Sequence, residues 1–366
     1  MENSTQTKLA TNVKRQSGAV LLLMLSVVLV IATTAAVGRV SLSEIKLHRI
    51  ANNSLSMLNA KQALLGYALK ETTIGALPCP DTDFPPDGLE NLSLGQCFAL
   101  VGWLPYKTLN VPPLYDASGT LFWYSVGVDF TTSTSISVAQ PLTINGSRAV
   151  AAVISANQPL PGQPRTTSGI RQYLEGTNSN GDITVFEQAL SDTNNDLVLA
   201  VVESDYWPVV EQFNLASLAS LLSAYKDACG TYPWAANFFA STGDSVDGLF
   251  SGSFPMDSAS PNDWGEGCAT GIEPTQSQKD KWRSQILYSF CAPTNGDCLE
   301  VSGNGGQFAD AMLVSPGTPL VGQVRTVTTL SAYFEGNNAN ASTPFSYLPA
   351  SQHSSLYNDV TYFIDD

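Results

Sequence analysis

The stretch "QPLPGQPRTTSGIRQYLEGTNSN", residues 158–180, occurs a second time in this chain of 366 residues. The second copy, "TPLVGQVRTVTTLSAYFEGNNAN", covers residues 318–340, so the offset between the copies is 160 residues. The first-copy residues that recur at this offset are Pro159, Leu160, Gly162, Gln163, Arg165, Thr166, Tyr173, Glu175, Gly176, Asn178 and Asn180. A match of this length at one constant offset indicates an internal duplication.

The duplication extends in both directions. Three further pairs of segments match with small insertions: "LLGYALKETTIGALPCP" from residue 64 with "LLSAYKDACGTYPWA" from 221, "LFWYSV" from 121 with "QILYSF" from 285, and "NNDLVLAV" from 194 with "YNDVTYFI" from 357. Each copy has a helical pattern, a break rich in Gly and Pro, and short runs typical of strands. We therefore expect an α+β fold of two tandem modules, each a helix packed on an antiparallel sheet.

The N-terminal part of the chain contains an uncharged run from Gly18 to Gly38, which is 21 residues long. As a helix it would extend about 30 Å, enough for one membrane crossing. A cleaved secretion signal has a shorter apolar core of about 7 to 15 residues. Lys8, Lys14 and Arg15 precede the run and predict a cytoplasmic N-terminus.

The residues after this run predict a helix longer than a bilayer needs. Residues 40–70 contain no Gly or Pro before Gly66. Apolar residues recur there at roughly helical spacing: Ile45, Leu47, Ile50, Leu55, Leu58 and Leu65. The transmembrane helix is therefore expected to continue as an amphipathic helix.

The pattern around Gly18 resembles the N-terminus of type IV prepilins and of the related pseudopilins of type II secretion. In that family a short basic leader ends in Gly, and the apolar helix after it continues into a globular head. The matching residues are Lys14, Arg15 and Gly18, with Ala19 as the first mature residue. The resemblance implies cleavage by a prepilin peptidase between Gly18 and Ala19, methylation, and assembly with other pilin or pseudopilin subunits through the N-terminal helix.

The fifth residue of the mature helix departs from the family pattern. Major pilins have a Glu there, which pairs with the terminal amine of a neighbouring subunit, whereas this chain has Leu23. In the family, the lack of this Glu is typical of minor components, including the pseudopilin at the filament tip. The resemblance therefore implies a minor subunit.

Together, the repeat and the resemblance predict four segments. They are a leader peptide at 1–18, a transmembrane and amphipathic helix at 19–74, a first head module at 75–206, and a second head module with its own helix at 207–366. The resemblance also implies a single-pass protein of the bacterial inner membrane, with a periplasmic head, or a subunit of an extracellular filament.

The chain has six cysteines, an even number without a C-x-x-C pair: Cys79, Cys97, Cys229, Cys268, Cys291 and Cys298. This pattern favours disulfides formed in an oxidising compartment, with scattered buried thiols as the alternative. The short spacings suggest Cys79 with Cys97 and Cys291 with Cys298, which leaves Cys229 for Cys268. Other connectivities remain open at this point.

The stretch "DTDFPPDGLE", residues 81–90, is the densest group of acidic residues in the first module. Asp81, Asp83, Asp87 and Glu90 offer carboxylate oxygens, and Ca²⁺ takes about six to eight oxygen ligands. Several pseudopilins hold calcium in a loop of the head, so the resemblance adds to this hypothesis. The alternative is a solvated acidic turn held by a disulfide between Cys79 and Cys97. No other cofactor is expected.

Arg165 and Arg325 are duplicated, and a Glu follows each of them ten residues later, at Glu175 and Glu335. Duplicated positions usually preserve what holds a fold together, so the pattern predicts a structural ion pair inside each module. The alternative is a pair of ligand-binding residues.

Charge and motifs argue against two classes of function. The formal net charge of −15 repels phosphate backbones, so nucleic acid is not an expected partner. The sequence has no P-loop and no G-x-S-x-G, and we expect no enzymatic activity.

The sequence therefore predicts a minor type IV pilin or pseudopilin-like structural subunit. It would insert in the inner membrane and assemble into a filament, or cap one. The alternative is a membrane-anchored periplasmic binding or adhesion protein that never enters a filament.

Overall fold

The structure is a computed structural model that describes residues 13–365 with gaps. Residues outside the description, apart from 1–12, are 71, 73, 132–141, 180–184, 189–190, 192, 241–242, 258–263, 265–266, 284, 293–297, 303–306, 321–322, 324, 326–328, 342–344, 350–351, 355 and 366. Most of the predicted leader, residues 1–12, therefore lies outside the described residues.

The chain divides into two compact units, Met1–Leu55 and Ser56–Asp366. Helix α1, Val13–Tyr67, supplies the described part of the first unit and the first residues of the second. Among the residues that the structure describes, no helix combines the length and the apolar character needed to cross a bilayer.

The first module of the second unit contains two sheets and an additional hairpin. Its strands are β1 Leu92–Ser93, β2 Gln96–Cys97, β3 Val101–Trp103, β4 Trp123–Val126, β5 Leu142–Ile144, β6 Ser147–Ala149, β7 Ala151–Ser155, β8 Val185–Phe186 and β9 Leu197–Val201. The larger sheet is antiparallel in the order β3-β4-β7-β9, and the smaller has the order β6-β5-β8 with β5 and β8 parallel. Strands β1 and β2 pair only with each other.

The second module begins with helix α2, Glu203–Cys229, which ends at Gly230 in the left-handed conformation that glycine favours. Its other elements are β10 Ser251–Ser253, α3 Gln276–Trp282, β11 Leu287–Phe290, β12 Leu299–Ser302, β13 Gln307–Ala309, β14 Ala311–Ser315, β15 Phe345–Ser346 and β16 Val360–Ile364. Its sheet orders are β10-β11-β14-β16 and β13-β12-β15. Both sheets repeat the strand order of the first module, so the sequence repeat corresponds to a structural repeat.

The two four-stranded sheets share one central core. Tyr124 and Val126 of β4, together with Tyr288 and Phe290 of β11, are buried there with the apolar side chains of α2. The alternate residues of the same strands face the other way, because successive side chains of a strand point to opposite faces. Trp123, for example, packs in a second, outer cluster against the smaller sheet of its own module.

The Gly75 carbonyl oxygen connects the modules. The Tyr206 hydroxyl on α2 donates a hydrogen bond of 2.6 Å to it, and the Lys281 ammonium on α3 donates one of 3.1 Å. The Phe130 ring of the first module packs edge-on against Tyr206. Burial lowers the pKa of Lys281 to about 8.

The expected fold class is wrong in two respects, although both helices and sheets are present. A transmembrane helix is not found among the described residues. The sheets are not purely antiparallel, because each module contains one parallel strand pair, and both modules lie in a single unit, Ser56–Asp366. The physical reason is that the inner faces of both four-stranded sheets are apolar and are buried in one core, together with α2 and the last turns of α1.

We predict that this unit unfolds in a single transition. Leu222 on α2 is completely buried in the central core, so Leu222→Ala should lower the free energy of unfolding by about 2 to 5 kcal/mol. Urea unfolding of the full chain in mild detergent, followed by tryptophan fluorescence and by circular dichroism, measures this.

The matched control is Leu356→Ala, at a leucine that is 82% exposed and should change stability by less than about 0.5 kcal/mol. Two separate transitions, only one of which shifts in Leu222→Ala, would contradict a shared core.

Candidate functional site

The described part of the first unit exposes a continuous apolar surface, residues 21–33 of α1, which we call the apolar stretch. Its large exposed side chains are Leu21, Leu22, Leu23, Met24, Leu25, Val27, Val28, Leu29, Val30 and Ile31. Soluble surfaces rarely expose so much contiguous apolar area without a partner that covers it. The stretch is therefore a candidate packing surface.

The two hydroxyl side chains within the apolar stretch are satisfied by the helix itself. Ser26 donates a hydrogen bond of 2.8 Å to the Leu23 carbonyl oxygen, and Thr33 donates one of 3.0 Å to the Val30 carbonyl oxygen. Both hydroxyl groups can therefore enter an apolar environment without losing a donor bond. The predicted cleavage site, between Gly18 and Ala19, lies within helix α1.

The acidic loop is organised around the buried carboxylate of Asp81. Its Oδ1 atom accepts a hydrogen bond of 2.9 Å from the Asp83 amide, and its Oδ2 atom accepts one of 2.6 Å from the Gly88 amide. Burial raises the pKa of Asp81, and the two amide hydrogen bonds oppose that shift. The Asp81 carboxylate therefore ties the Asp83 and Gly88 amides of the loop together.

The structure brings together three of the four predicted calcium ligands. Carboxylate oxygens of Asp81, Asp83 and Asp87 lie within 4.8 Å of one another. Glu90 is used elsewhere, because it accepts hydrogen bonds of 2.9 Å from the Cys79 amide and 3.4 Å from the Tyr67 hydroxyl. Burial, followed by this carboxylate, raises the pKa of Tyr67 to about 12. Calcium stays a prediction, and Glu90 does not face the other three carboxylates.

Three disulfides join Cys79 to Cys97, Cys229 to Cys268, and Cys291 to Cys298. These are the pairs that the short spacings suggest. Three disulfides are typical of a protein that folds outside the cytoplasm.

A buried carboxyl cluster occurs once in each module. In the first module, Glu175 accepts a hydrogen bond of 2.7 Å from Gln163, and Asp196 accepts bonds of 2.9 Å from the Glu175 amide and 3.0 Å from Asn178. The second module repeats it with Gln323, Glu335, Asn338 and Asp359, at 2.6, 3.0 and 2.9 Å.

Burial is the main cause of the raised pKa of the two aspartates in these clusters. It raises the pKa of Asp196 to about 7 and that of Asp359 to about 9, with the neighbouring Glu adding to the shift. The Oδ1 atoms of both are buried and have no partner among the described residues. Burial therefore favours the protonated carboxyl of Asp359 in the folded chain.

The sequence predicted that Arg165 pairs with Glu175 and Arg325 with Glu335, but the arginines instead bind backbone carbonyl oxygens. Arg165 donates hydrogen bonds of 2.7 and 2.9 Å to the carbonyl oxygens of Asn157 and Ala156, and Arg325 repeats this with two carbonyl oxygens of its own module. Burial lowers the pKa of both arginines, and the strongest opposing charge is Asp116 for Arg165 and Glu211 for Arg325. Glu175 accepts hydrogen bonds from the Gln163 side chain and the Asn195 amide. Glu335 accepts the equivalent bonds from Gln323 and from the Asn358 amide.

The carboxyl clusters have a structural role. Asp196 and Asp359 are buried directly before the last strand of their modules, and each binds the backbone amide of the Glu in its own cluster. Asp196 and Asp359 are not among the residues that the sequence singles out. Their signal is the Asn-Asp dipeptide before the last strand of each copy, in "NNDLVLAV" and "YNDVTYFI".

We predict that stability falls as the pH rises. The pKa of Asp359 is higher in the folded chain than the unfolded value of about 3.9, so its contribution is complete below that value and is lost as the pH rises through about 9. Asp359→Asn mimics the protonated carboxyl and should weaken the loss of stability between about pH 5 and pH 9. Urea unfolding at a series of pH values measures the slope.

Asp227→Asn is the control, because Asp227 is exposed on α2 and should leave the slope as it is in the unaltered chain. Identical slopes for the unaltered chain and both variants would contradict a raised pKa of Asp359 in the folded chain.

Comparisons with protein-family models, curated proteins and solved structures found no match to this chain.

Proposed function

We propose that the protein is a minor structural subunit of a type IV pilus or of a related secretion pseudopilus. The observation that carries the proposal is the apolar stretch, residues 21–33, exposed on one continuous helix directly after a basic pair and a Gly. This is the arrangement by which subunits of this kind pack their helices together. The protein's role would be assembly and not catalysis.

The chemistry of the apolar stretch supports association with other apolar helices. Where lipid or other helices replace water, association depends on close packing and on polar groups that already have partners. Ser26 and Thr33 meet this condition within the helix. The compact unit would lie on the periplasmic side of the inner membrane, which is consistent with its disulfides. The partners of the protein would be the prepilin peptidase and other pilin or pseudopilin subunits.

Leu23 supports the assignment as a minor subunit. Its side chain is 67% exposed within the apolar stretch and carries no charge that could pair with the terminal amine of a neighbour. A position at the tip of a filament would not require such a pair.

The first prediction from this proposal concerns processing. Co-expression of the full chain with a prepilin peptidase should yield a product that begins at Ala19, and mass spectrometry or Edman sequencing identifies it. A Gly18→Trp variant, which fills the cleavage position with a bulky side chain, should stay uncleaved. A native product that keeps Met1, or one cut near Val37, would contradict the prepilin assignment.

The second prediction concerns assembly. Val28 lies in the middle of the apolar stretch and is exposed, so Val28→Asp would bring a carboxylate into any helix-packing contact at a cost of several kcal/mol. The variant should disappear from the sheared filament fraction of the native host while the compact unit stays folded, as immunoblotting and circular dichroism would measure.

Leu356→Asp, at an equally apolar and exposed position of the second module, is the matched control and should still enter the filament fraction. Equal amounts of both variants in that fraction would contradict packing through α1.

The alternative, a membrane-anchored periplasmic binding or adhesion protein, draws on a different observation. Residues 84–98 expose several large apolar side chains that the fold does not bury. This alternative predicts that the unaltered chain is absent from filaments even when it is processed, so the filament fraction distinguishes the two.

A further inference from the structure

The hairpin of β1 and β2 in the first module has an unusual residue, Leu94, at its turn, followed by Gly95. Both residues have positive φ, 53° and 80°, as in the tight turn that favours Asn-Gly. A leucine in the left-handed region is disfavoured by its Cβ atom, and here the side chain is 102% exposed. Leu94 therefore gains no burial within the fold that would offset its backbone conformation.

Four other apolar side chains accompany Leu94 in and next to the disulfide-closed loop. We name the set Phe84, Leu89, Leu92, Leu94 and Phe98 the hairpin surface. Each of the four is about half exposed or more, and Phe98 reaches 69%. The strand pairing places Leu92 and Phe98 on opposite faces of the hairpin, so large apolar side chains are exposed on both of its faces. Exposure of this kind is typical of an interaction site.

The loop that carries the hairpin surface is held in place from several directions. The disulfide between Cys79 and Cys97 closes it, and the Asn91 side chain accepts a hydrogen bond of 2.6 Å from the Thr82 amide. Gly88 lies against the ring of Tyr106, where a Cβ atom would approach within 2.4 Å. A loop that is ordered before binding loses little conformational entropy on binding, which favours affinity.

The repeat does not require this hairpin. The larger and smaller sheets of the first module both have counterparts in the second, whereas the pair β1 and β2 is the one two-stranded sheet among the described residues. Positions that only hold the duplicated fold together would be expected in both copies. Within the part of the chain that the structure describes, the hairpin is thus specific to the first module.

The charges beside the hairpin surface indicate what kind of partner it fits. Asp83 and Asp87 are exposed, and neither has an ion pair with any described residue. Carboxylate oxygens of both lie within 4.8 Å of each other and of the Asp81 carboxylate. This concentration of negative charge attracts Lys and Arg.

We propose that the hairpin surface binds a segment of another protein in which apolar side chains are flanked by Lys or Arg. The Leu94 side chain enters the apolar part of that segment, and Asp83 and Asp87 face its basic residues. This inference depends on the compact unit alone and is independent of filament assembly.

The test is a selection from a random 12-residue peptide display library against the full chain in detergent micelles. Binders kept by the unaltered chain and lost on Leu94→Asn should be rich in Lys or Arg together with Leu, Ile or Phe. Titration calorimetry with synthetic copies should give a dissociation constant at least about ten-fold weaker for Leu94→Asn, as expected when an anchor side chain is removed. An Asp83→Asn, Asp87→Asn double variant should weaken binding and reduce its dependence on salt.

Leu94→Asn also separates binding from folding. Asn tolerates positive φ better than Leu, so this variant should keep or raise the melting temperature while it loses the peptides. Leu356→Asn, at an exposed leucine of the second module, is the matched control and should bind as the unaltered chain does.

Three results would overturn the proposal. The first is a selection with no peptides that depend on Leu94, and the second is a set of dependent peptides that lack Lys and Arg. The third is binding to phosphatidylcholine vesicles that is lost in Leu94→Asn but kept in Leu356→Asn, which would assign the surface to lipid. Repeating the titration with Ca²⁺ and with a chelator shows whether a cation at Asp81, Asp83 and Asp87 replaces the peptide's basic residues.

Discussion

The central core, in which the inner faces of two four-stranded sheets meet α2, is the contact on which the rest of the compact unit depends. Neither sheet could leave its inner aromatic residues, such as Tyr124 and Tyr288, in water. The Gly75 carbonyl oxygen then connects the modules, because it accepts hydrogen bonds from Tyr206 and Lys281. A duplicated sequence has in this way produced one compact unit with a shared core.

The packing on the outer faces of the two four-stranded sheets is a consequence of the shared core. Once the inner faces are buried, alternate residues of each strand pack against a small three-stranded sheet, and the buried carboxyl cluster connects the last strand to the preceding segment. The carboxyl group that most opposes the lowered arginine pKa differs between the copies: it is Asp116 for Arg165 and Glu211 for Arg325. The duplication therefore preserved the backbone contacts of the arginine while this carboxyl group changed.

Surfaces that the core does not use are where interactions are expected. The apolar stretch of α1 and the hairpin surface both expose large apolar side chains, and the two differ in their surroundings. The apolar stretch has no charge and satisfies its own hydroxyl groups, which suits packing against apolar helices. The hairpin surface lies beside three carboxylates on a loop closed by a disulfide, which suits a basic partner.

The sequence by itself determined the duplication, strands such as β9 and β16, and the apolar stretch, because repeats and residue patterns can be identified without knowing which residues are in contact. Only the tertiary structure decided that the two modules share a core. It also decided that Glu90 binds Cys79 and Tyr67 and does not join the other three carboxylates, and that Asp359 is buried beside Glu335. These features depend on residues far apart in the chain, so spacing could not predict them. Such contacts are decided by the free energy gained when apolar faces are buried and by the free energy lost when polar groups are buried without partners. Both are set only when the chain is packed.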